Sequence, residues 1–234
     1  YHKLVNTIDI APSYLAGHSL GEYSALVAAN SLSITEALKL VRKRGELMEA
    51  APNGSMSAIM GLDYNIIDEI CLIASQGENS HVQCANLNSP NQTVISGHDD
   101  AVLRAQDLCT AKGAKRAVKL NVSIASHSKL MLSVADEFQK TLEAVKFNIP
   151  DTNIIHNVSV NSSTSSRDIP SLLLSQLHSP VRWVETCNFI STLKLPIIEC
   201  GPGKVLSGLF KGNKLENYFS VTDEEFYEKI SSYE

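Results

Sequence analysis

The sequence predicts an α/β protein with a smaller subdomain inserted into it. The chain has 234 residues, of which 44% are hydrophobic and 19% charged, so it can bury a sizeable core. An apolar stretch at 14–16 leads through a glycine-flanked turn into a helix-like stretch at 22–29, the strand–turn–helix order of an α/β domain. Between residues 55 and 122, six elements follow in the order βαββαβ. That order is typical of a small ferredoxin-like unit.

Composition and charge exclude several classes of protein. The formal net charge is −5, so there is no basic excess that would indicate a nucleic-acid partner. No apolar run approaches the about 18 residues of a membrane span, and the N-terminus lacks a signal-peptide pattern, so we expect a cytoplasmic protein that binds no membrane. The cysteines are scattered without a C-x-x-C pair, which favours reduced structural thiols over a metal site or a disulfide framework, and we expect neither a metal nor a cofactor. They are Cys71, Cys84, Cys109, Cys187 and Cys200.

Residues 17–21 fit the pattern G-x-S-x-G of a nucleophile elbow. Gly17 and Gly21 are expected to permit the tight turn, because side chains there would collide with the neighbouring backbone. The turn would expose Ser19 Oγ at a helix N-terminus, where N–H groups and the helix dipole favour negative charge. The Leu20 N–H is then a ready oxyanion donor. The alternative is an ordinary loop serine between two glycines, and the flanking strand and helix favour the nucleophile.

A capping box formed by Ser33 and Glu36 predicts a helix that runs to about residue 50. Its apolar stripe consists of Ala37, Leu40, Val41, Leu47 and Met48. Arg44 falls on the same stripe, and a guanidinium that faces a core needs an anion. Two interpretations remain open at this point. The arginine either snorkels or pairs internally, or it clamps a substrate carboxylate, which suits the planar fork of its guanidinium.

The break at Pro52, Asn53 and Gly54 marks the start of the inserted subdomain. Its predicted elements are strands at 55–62, 81–87, 92–96 and 115–122 and helices at 65–74 and 99–111. We therefore expect a first core segment at 1–53, a ferredoxin-like insert at 54–124 and a second core segment at 125–234.

His127 lies directly after the insert, in a loop that precedes a helix predicted at 129–145. Of the seven histidines, its position at the domain junction best suits a general base for Ser19. His18 adjoins the serine, but neighbouring side chains on a tight turn point in different directions. Without a nucleophile that needs a base, an ordinary loop histidine would be the default interpretation.

The second core segment continues with alternating strands and helices. Strands are predicted at 153–160 and 195–199, and helices at 167–177, after 180–183, at 205–211 and after a capping box at 222–225. The end of a further helix is predicted at 2–10. The turn at 201–204 contains two glycines that could bind phosphate, but it lacks the spacing of a P-loop. A plain strand-to-helix turn is the better prediction.

Together, these stretches closely resemble malonyl-CoA:acyl-carrier-protein transacylases and the acyltransferase domains of polyketide and fatty-acid synthases. The stretches that carry the resemblance are GHSLGEYSALVAA (17–29), VRKRGELM (41–48), ANLNSPNQTVISG (85–97), VSIASHSKLM (122–131), QLHSPVRW (176–183) and ECGPGKVLSGL (199–209). They follow the order of the family and cover nearly the whole chain. The resemblance implies an α/β-hydrolase-like core with a ferredoxin-like insert.

The resemblance also implies roles for individual residues in a ping-pong transfer for fatty-acid synthesis. Ser19 would carry the malonyl ester, and His127 would act as its base. Gln176 matches the position whose main-chain carbonyl, rather than a carboxylate, orients the histidine. Arg44 matches the arginine that pairs with the free carboxylate of malonate.

Further residues are implied to contact the substrates, which would be malonyl-CoA and acyl carrier protein. Asn88 and Gln92 match a loop that borders the cleft. His18 belongs to the GHSLGE form that, with Arg44, favours malonyl over an uncharged acyl chain. Carrier proteins are acidic, so basic residues of the insert are candidates for docking, although a solvated charged strand explains them equally well. These residues are Lys112, Lys115, Arg116 and Lys119.

One departure from the family concerns its first strand and a GQGxQ loop, whose glutamine supplies a second oxyanion donor. Nothing here matches that loop, and one such donor is worth roughly 2.7–4 kcal/mol. The sequence is therefore expected to be a piece of a working enzyme or to be defective by itself. Two rival functions follow: a non-catalytic fragment that binds a carrier protein, and a serine esterase or thioesterase that shares the elbow. Such esterases normally place an acidic residue beside the histidine.

Overall fold

The computed structural model describes residues 1, 4, 5, 7, 10–163 and 165–231, which form a mixed α/β structure. The strands are β1 (Tyr14–Ala16), β2 (Ser55–Met60), β3 (Val82–Ser89), β4 (Gln92–Gly97), β5 (Arg116–Lys119), β6 (Asn153–Ile155), β7 (Ser162–Ser163), β8 (Ile197–Glu199) and β9 (Tyr218–Ser220). The helices are α1 (Gly21–Ala28), α2 (Ile34–Ala50), α3 (Tyr64–Ala74), α4 (Asp99–Ala111), α5 (Ala135–Glu143), α6 (Ile169–His178), α7 (Trp183–Leu193), α8 (Val205–Gly212) and α9 (Phe226–Ser231). A 3₁₀ helix at Lys129–Val134 leads into α5.

The sheet that carries the predicted elbow is small and has the order β1-β6-β7. β1 runs parallel to β6, with Ala16 opposite Ile155 at the end that leads to the elbow. The helices α1, α2, α5 and α6 bury a common core against this sheet, and that core draws on residues before and after the predicted insert. Its largest members include Tyr23, Leu26, Leu40, Phe138, Leu142 and Leu173. A second, two-stranded parallel sheet joins β8 and β9.

The segment between the two core segments forms its own four-stranded sheet. The strand order is β3-β4-β2-β5, and every neighbouring pair is antiparallel. The helices α3 and α4 pack on this sheet and bury a separate core. That core contains Ile59, Ile67, Ile95, Val102, Ala105 and Cys109. All six elements predicted for this segment are present, and the last strand is shorter than the predicted 115–122.

The points where the chain enters and leaves this segment lie side by side. The Gly54 N–H donates to the Ser123 carbonyl over 3.1 Å, and Asn53 and Ile124 form an antiparallel bridge. Gly54 is required there, because an added Cβ would lie 2.4 Å from the Gly97 carbonyl oxygen. The segment can therefore be inserted without separating the two halves of the larger core.

Several boundaries predicted from the sequence were wrong. The strand predicted at 153–160 ends at Ile155, because the next residues turn towards the elbow, and Val160 adopts a φ of 60°. The helix predicted at 129–145 begins as a 3₁₀ turn and becomes α-helical only at Ala135. Strands β7 and β9 were not predicted. Most of the helix end predicted at 2–10 lies outside the described residues, of which Leu4 and Val5 are helical.

The glycine-containing turn at 201–204 connects β8 to α8, and a carboxylate of the chain itself occupies the start of that helix. Glu199 accepts the Leu206 N–H over 2.9 Å, and it accepts the Ser207 N–H and hydroxyl over 2.7 and 2.6 Å. A carboxylate at a helix N-terminus is favoured by the free N–H groups and the helix dipole. The anion site that the glycines create is thus already filled.

In the part of the chain that the structure describes, no helix combines the length and the apolar character that crossing a membrane requires. All five cysteines are free thiols, and only Cys200 is exposed.

Candidate active site

The turn between β1 and α1 has the geometry of a nucleophile elbow. Ser19 adopts a left-handed φ of 50°, a strained conformation for a residue with a side chain. A Cβ at Gly17 would lie 2.0 Å from both the carbonyl carbon and the oxygen of Gly21, so only glycine fits there. A Cβ at Gly21 would meet nothing within 4 Å. The expectation that both glycines avoid a collision was therefore wrong for Gly21, whose backbone is what the Cβ at position 17 would strike.

Ser19, His127 and Gln176 form a chain of hydrogen bonds. Ser19 Oγ lies 2.8 Å from His127 Nε2, and His127 Nδ1 lies 2.7 Å from the main-chain oxygen of Gln176. Since a carbonyl can only accept, Nδ1 carries the proton and Nε2 presents a lone pair to the Ser19 hydroxyl. His127 is 3% exposed, and its own N–H donates to the Leu177 carbonyl over 3.2 Å. Both the backbone and the ring of the histidine are thus held by α6.

The surroundings of His127 keep it neutral. Burial lowers the pKa of His127 to about 3, and the positive charge of Arg44 acts in the same direction. The hydrogen bond to the Gln176 carbonyl opposes this shift and lowers the cost of a transient imidazolium. At neutral pH the imidazole is therefore in the form that can accept a proton from Ser19.

Arg44 reaches the serine from the buried face of α2. Its Nη2 donates to Ser19 Oγ over 3.4 Å, and the residue is 7% exposed. It therefore does not snorkel, and within the described residues it forms no ion pair and its Nε has no hydrogen-bond partner. Burial lowers the pKa of Arg44, while Tyr23 and Glu22 act in the opposite direction. A buried guanidinium without a counter-ion is costly, so this position favours an incoming anion.

The start of α1 leaves one backbone donor free beside Ser19. The Ser19 N–H is used by Asn157 Oδ1 over 2.7 Å, and the N–H groups of residues 21–23 close the first turns of the helix. Among the hydrogen bonds of the described residues, none uses the Leu20 N–H. If Ser19 Oγ attacks a carbonyl carbon, the carbonyl oxygen becomes negatively charged. A free N–H at the start of a helix can donate a hydrogen bond to that oxygen.

His18 lies on the wall of the site, and among the hydrogen bonds of the described residues none joins it to the serine hydroxyl. Its Nε2 is 2.9 Å from Asn88 Oδ1, and its ring meets that of Trp183 edge-on at a centroid distance of 5.3 Å. Burial lowers the pKa of His18, and the hydrogen bond to Asn88 opposes the shift. Asn213 Nδ2 donates to the Asn88 carbonyl over 2.8 Å, which ties this wall to the end of α8.

The amino-acid sequence that forms this site matches a known protein family. The family model described as acyl transferase domain matches residues 3–206, which is most of the chain. The chain belongs to the acyl transferase domain family.

Proteins with similar sequences carry more specific names. The malonyl CoA-acyl carrier protein transacylase of Haemophilus influenzae is 46% identical over 207 residues, which are 87% of this chain and 66% of that protein. The chain therefore spans about two thirds of the length of this curated relative.

Two solved structures of such proteins closely match the fold. The acyl carrier protein S-malonyltransferase of Vibrio cholerae superposes with a TM-score of 0.92 at 44% identity, covering 97% of this chain and 76% of that one. A malonyl-transacylase in complex with its type II PKS acyl-carrier protein gives a TM-score of 0.87 at 45% identity, covering 92% and 70%.

Not every predicted residue of the acyl transferase domain converges on the serine. Gln92 lines a groove of about 480 Å³ between the inserted segment and α8, together with Lys115 and Val205. Within the described residues, no hydrogen bond joins the Gln92 side chain to Ser19 or His127. Among the four basic candidates for docking, Lys119 pairs with Asp99 over 2.9 Å, and the others are exposed.

Three buried residues of the candidate site were missed from the sequence. Asn157 donates to the Gly17 carbonyl over 2.7 Å, in addition to accepting the Ser19 N–H. Glu22 and His156 are hydrogen-bonded to each other over 2.7 Å behind the serine. The wrong strand prediction at 153–160 hid His156 and Asn157. Glu22 was visible as the lone charge of its helix, whereas Arg44 stood out because it falls on the apolar stripe of a helix with many charges.

Proposed function

We propose that this acyl transferase domain moves a malonyl group from malonyl-CoA to the phosphopantetheine thiol of acyl carrier protein through an ester on Ser19. The observation that carries the proposal is the buried Arg44 guanidinium, which forms no ion pair within the described residues and whose Nη2 lies 3.4 Å from Ser19 Oγ. A cation at this distance from the nucleophile fits an acyl group that ends in a carboxylate. The names of the relatives support the same donor and acceptor.

The first half-reaction would load the serine. His127 Nε2 takes the hydroxyl proton as Ser19 Oγ bonds to the thioester carbon. The carbonyl oxygen becomes negative and accepts a hydrogen bond from the Leu20 N–H. The C–S bond then breaks, and the proton passes from His127 to the departing CoA sulfur. The Gln176 carbonyl stabilises the imidazolium during this exchange.

The second half-reaction would run the same steps in reverse with a different thiol. The phosphopantetheine thiol gives its proton to His127 and attacks the ester carbon. The C–O bond to Ser19 breaks, and the serine recovers its proton from the imidazolium. The site thus returns to its starting state without a cofactor.

Arg44 would act in both halves by holding the malonyl carboxylate in a bidentate pair. The bound carboxylate would also offset the positive charge beside His127, which otherwise lowers the basicity of that imidazole. An acetyl group supplies no such charge. His18 and Asn88 would form the adjoining wall, and the groove that contains Gln92 would receive a more distant part of the donor or acceptor.

The architecture fits an α/β-hydrolase-like core at 1–53 and 125–234 with a ferredoxin-like insert at 54–124. The antiparallel order β3-β4-β2-β5 and the packing of α3 and α4 on this sheet support the insert. The elbow at the end of β1 supports the core. The free thiols are those expected of a cytoplasmic protein.

The two rival functions make different demands. A serine esterase normally holds its histidine with a carboxylate, whereas His127 Nδ1 is 2.7 Å from a main-chain oxygen. A carrier-binding fragment without activity would not need the serine hydroxyl within 2.8 Å of the imidazole. Both observations favour transfer.

Intact-mass measurement after brief incubation with malonyl-CoA tests the proposal. We expect a single malonyl adduct on the parent chain and none on Ser19→Ala, and we expect transfer of the label to added acyl carrier protein. Hydrolysis that outpaces this transfer would indicate the esterase. A folded chain that binds carrier protein but remains unmodified would overturn the proposal in favour of the binding fragment.

A further inference from the structure

A cluster of buried polar side chains lies behind Ser19, on the side away from the substrate. It contains Glu22 of α1, His156 and Asn157 from the loop after β6, and Gln176 of α6. Each of these residues is at most 1% exposed. None of these side chains has a role in the proton transfers described above, in which Gln176 acts only through its main-chain carbonyl. Buried polar groups are costly unless they are paired, so the cluster has to be explained.

The Glu22 carboxylate is the centre of this cluster. It accepts His156 Nδ1–H over 2.7 Å through one oxygen. Through the other it accepts Gln176 Nε2–H over 2.6 Å and the Asn157 main-chain N–H over 3.2 Å. Three donors from two other parts of the chain thus converge on one side chain of the elbow helix.

The side chain and the backbone of Gln176 face two different partners. Its Nε2 donates to Glu22 and to the Ser19 carbonyl, the latter over 3.1 Å. Both partners are acceptors, so the amide nitrogen has to face them. The main-chain oxygen of the same residue holds His127 Nδ1 over 2.7 Å. Gln176 therefore links the helix of the nucleophile to the ring of the base.

We propose that Glu22 is a positioning residue that acts through the Gln176 side chain. It keeps the Gln176 carbonyl directed at His127, and it keeps Ser19 within hydrogen-bonding distance of the same imidazole ring. The inference rests on the proposed function, since it assigns Glu22 to the Ser19–His127 pair. Glu22 never touches the acyl group. It holds α1 and α6 in the relative position that the proton transfer needs.

The carboxylate form is essential to this arrangement because all three converging groups are donors. A glutamine at position 22 has one acceptor oxygen and one amide nitrogen. Whichever way that amide turns, its nitrogen meets an N–H from His156, from Gln176 or from Asn157. A Glu22→Gln variant would keep the size of the side chain and still disturb the link to Gln176.

The chain offers a matched control in Glu199, another buried carboxylate that accepts three hydrogen bonds, at the start of α8. Glu199 is 5% exposed and has no bond to Ser19, His127 or Gln176. Glu22→Gln and Glu199→Gln should both lower the melting temperature. Only Glu22→Gln should lower kcat, by about 10- to 100-fold, with KM for malonyl-CoA within about twofold, because misplaced catalytic groups slow the chemical step more than binding.

A readout without substrate separates this proposal from the proposed function. The Nδ1–H proton resonance of His127, assigned by its loss in His127→Asn, should shift and exchange faster with water in Glu22→Gln. It should remain unchanged in Glu199→Gln. If wild-type protein shows no acylation, the proposed function fails, and the resonance still decides whether Glu22 positions the ring.

A second variant covers the case in which Glu22→Gln does not fold. Gln176→Met removes the side-chain hydrogen bonds to Glu22, to the Ser19 carbonyl and to Asn157 Oδ1, but it keeps the main-chain carbonyl and the volume of the side chain. It should show the same loss of kcat and the same change of the His127 resonance, and the double variant should be little worse than either single variant. Wild-type kcat or an unchanged resonance in a folded variant would overturn the proposal.

Discussion

Two turns in this chain lead from a strand into a helix through a pair of glycines, yet they differ in what occupies the start of the helix. In the turn after β8, the Glu199 carboxylate accepts the N–H groups of Leu206 and Ser207. In the turn after β1, the Leu20 N–H is left without a partner among the described residues, and the side chain that projects there is the Ser19 hydroxyl. One turn carries its own anion, and the other is built to receive one.

Each turn has one nearby carboxylate, and the difference lies in where that carboxylate stands relative to the turn. Glu199 precedes its turn and reaches forward to the helix start, where it neutralises the site permanently. Glu22 follows its turn and points back into the core, where it binds His156 and Gln176. The glycine pattern alone therefore does not identify an active turn. What matters is whether the helix N-terminus is left free for an oxyanion.

The largest expected effect comes from Ser19 in the turn after β1, compared with Ser207 in the first turn of α8. Ser19→Ala should abolish acylation by malonyl-CoA, with a loss of about 10⁴-fold or more, because the nucleophile is removed. Ser207→Ala removes one hydrogen bond to Glu199 and should cost about 1 kcal/mol of stability with acylation unchanged. Intact-mass time courses and urea unfolding measure the two effects. Labelling of Ser19→Ala would show that another residue carries the acyl group.

The next largest effect is on the free energy of unfolding, when a glycine of either turn is replaced by alanine. Gly17→Ala should cost about 3 kcal/mol or more of unfolding free energy, because the new Cβ lies 2.0 Å from the Gly21 carbonyl carbon. Gly21→Ala and Gly203→Ala should change stability by less than about 1 kcal/mol, since a Cβ at either position meets nothing within 4 Å. Thermal melts followed by circular dichroism compare the three variants. Equal losses for Gly17→Ala and Gly21→Ala would contradict the close approach of position 17 to the Gly21 carbonyl as the reason for a glycine at position 17.

The sequence predicted the strands and helices that flank both turns, because local patterns of residues specify them. Local patterns also located α2: apolar periodicity and a capping box predicted it, and the Ser33 hydroxyl accepts the Glu36 N–H over 3.2 Å. The same patterns could not show that Glu199 fills one helix start, since that depends on the path of the turn. The resemblance to the family, rather than these local patterns, implied that Gln92 borders the cleft, and in the structure Gln92 lines the groove beside α8.

The residues behind Ser19 could not be predicted for a related reason. His156 and Asn157 read as part of a continuous strand, and the strand ends only because their side chains find partners that are 134 to 140 positions away in sequence. Tertiary hydrogen bonds overrode the local propensity there. The single charge of Glu22 in an apolar helix was the one local sign of this cluster.

A smaller effect tests whether the incoming anion is a carboxylate. Arg44→Ala should lower the rate of malonyl transfer relative to acetyl transfer by about 100-fold, the equivalent of about 2.7 kcal/mol for a lost charge-assisted pair. Acetyl transfer should fall little, because removing Arg44 also removes a positive charge that lowers the basicity of His127. Competition between malonyl-CoA and acetyl-CoA, read by intact mass, gives the ratio. Arg42→Ala, at an exposed position on the same helix, is the control, and equal loss of both transfers in Arg44→Ala would remove the carboxylate clamp.

The last effect is on stability rather than on acyl transfer, and it follows from the neutral state of His127. The pKa of this residue is about 3 in the folded chain and about 6.5 for an unfolded histidine. Between these values the unfolded chain binds a proton that the folded chain does not, so the free energy of unfolding falls as the pH is lowered from 6.5, by up to about 1.4 kcal/mol per pH unit. Above pH 6.5 both states are neutral, and this contribution disappears.

Urea unfolding of the wild type, Ser19→Ala and His127→Gln at pH 7.0 and 4.5 isolates this contribution. The wild type and Ser19→Ala, which both keep the imidazole, should lose more stability at the lower pH than His127→Gln, whose side chain does not titrate. Equal losses in all three would show that His127 protonates in the folded chain near its ordinary pKa. The active site would then hold a second cation beside Arg44 at mildly acidic pH, and His127 would share in attracting an incoming malonyl group to Ser19.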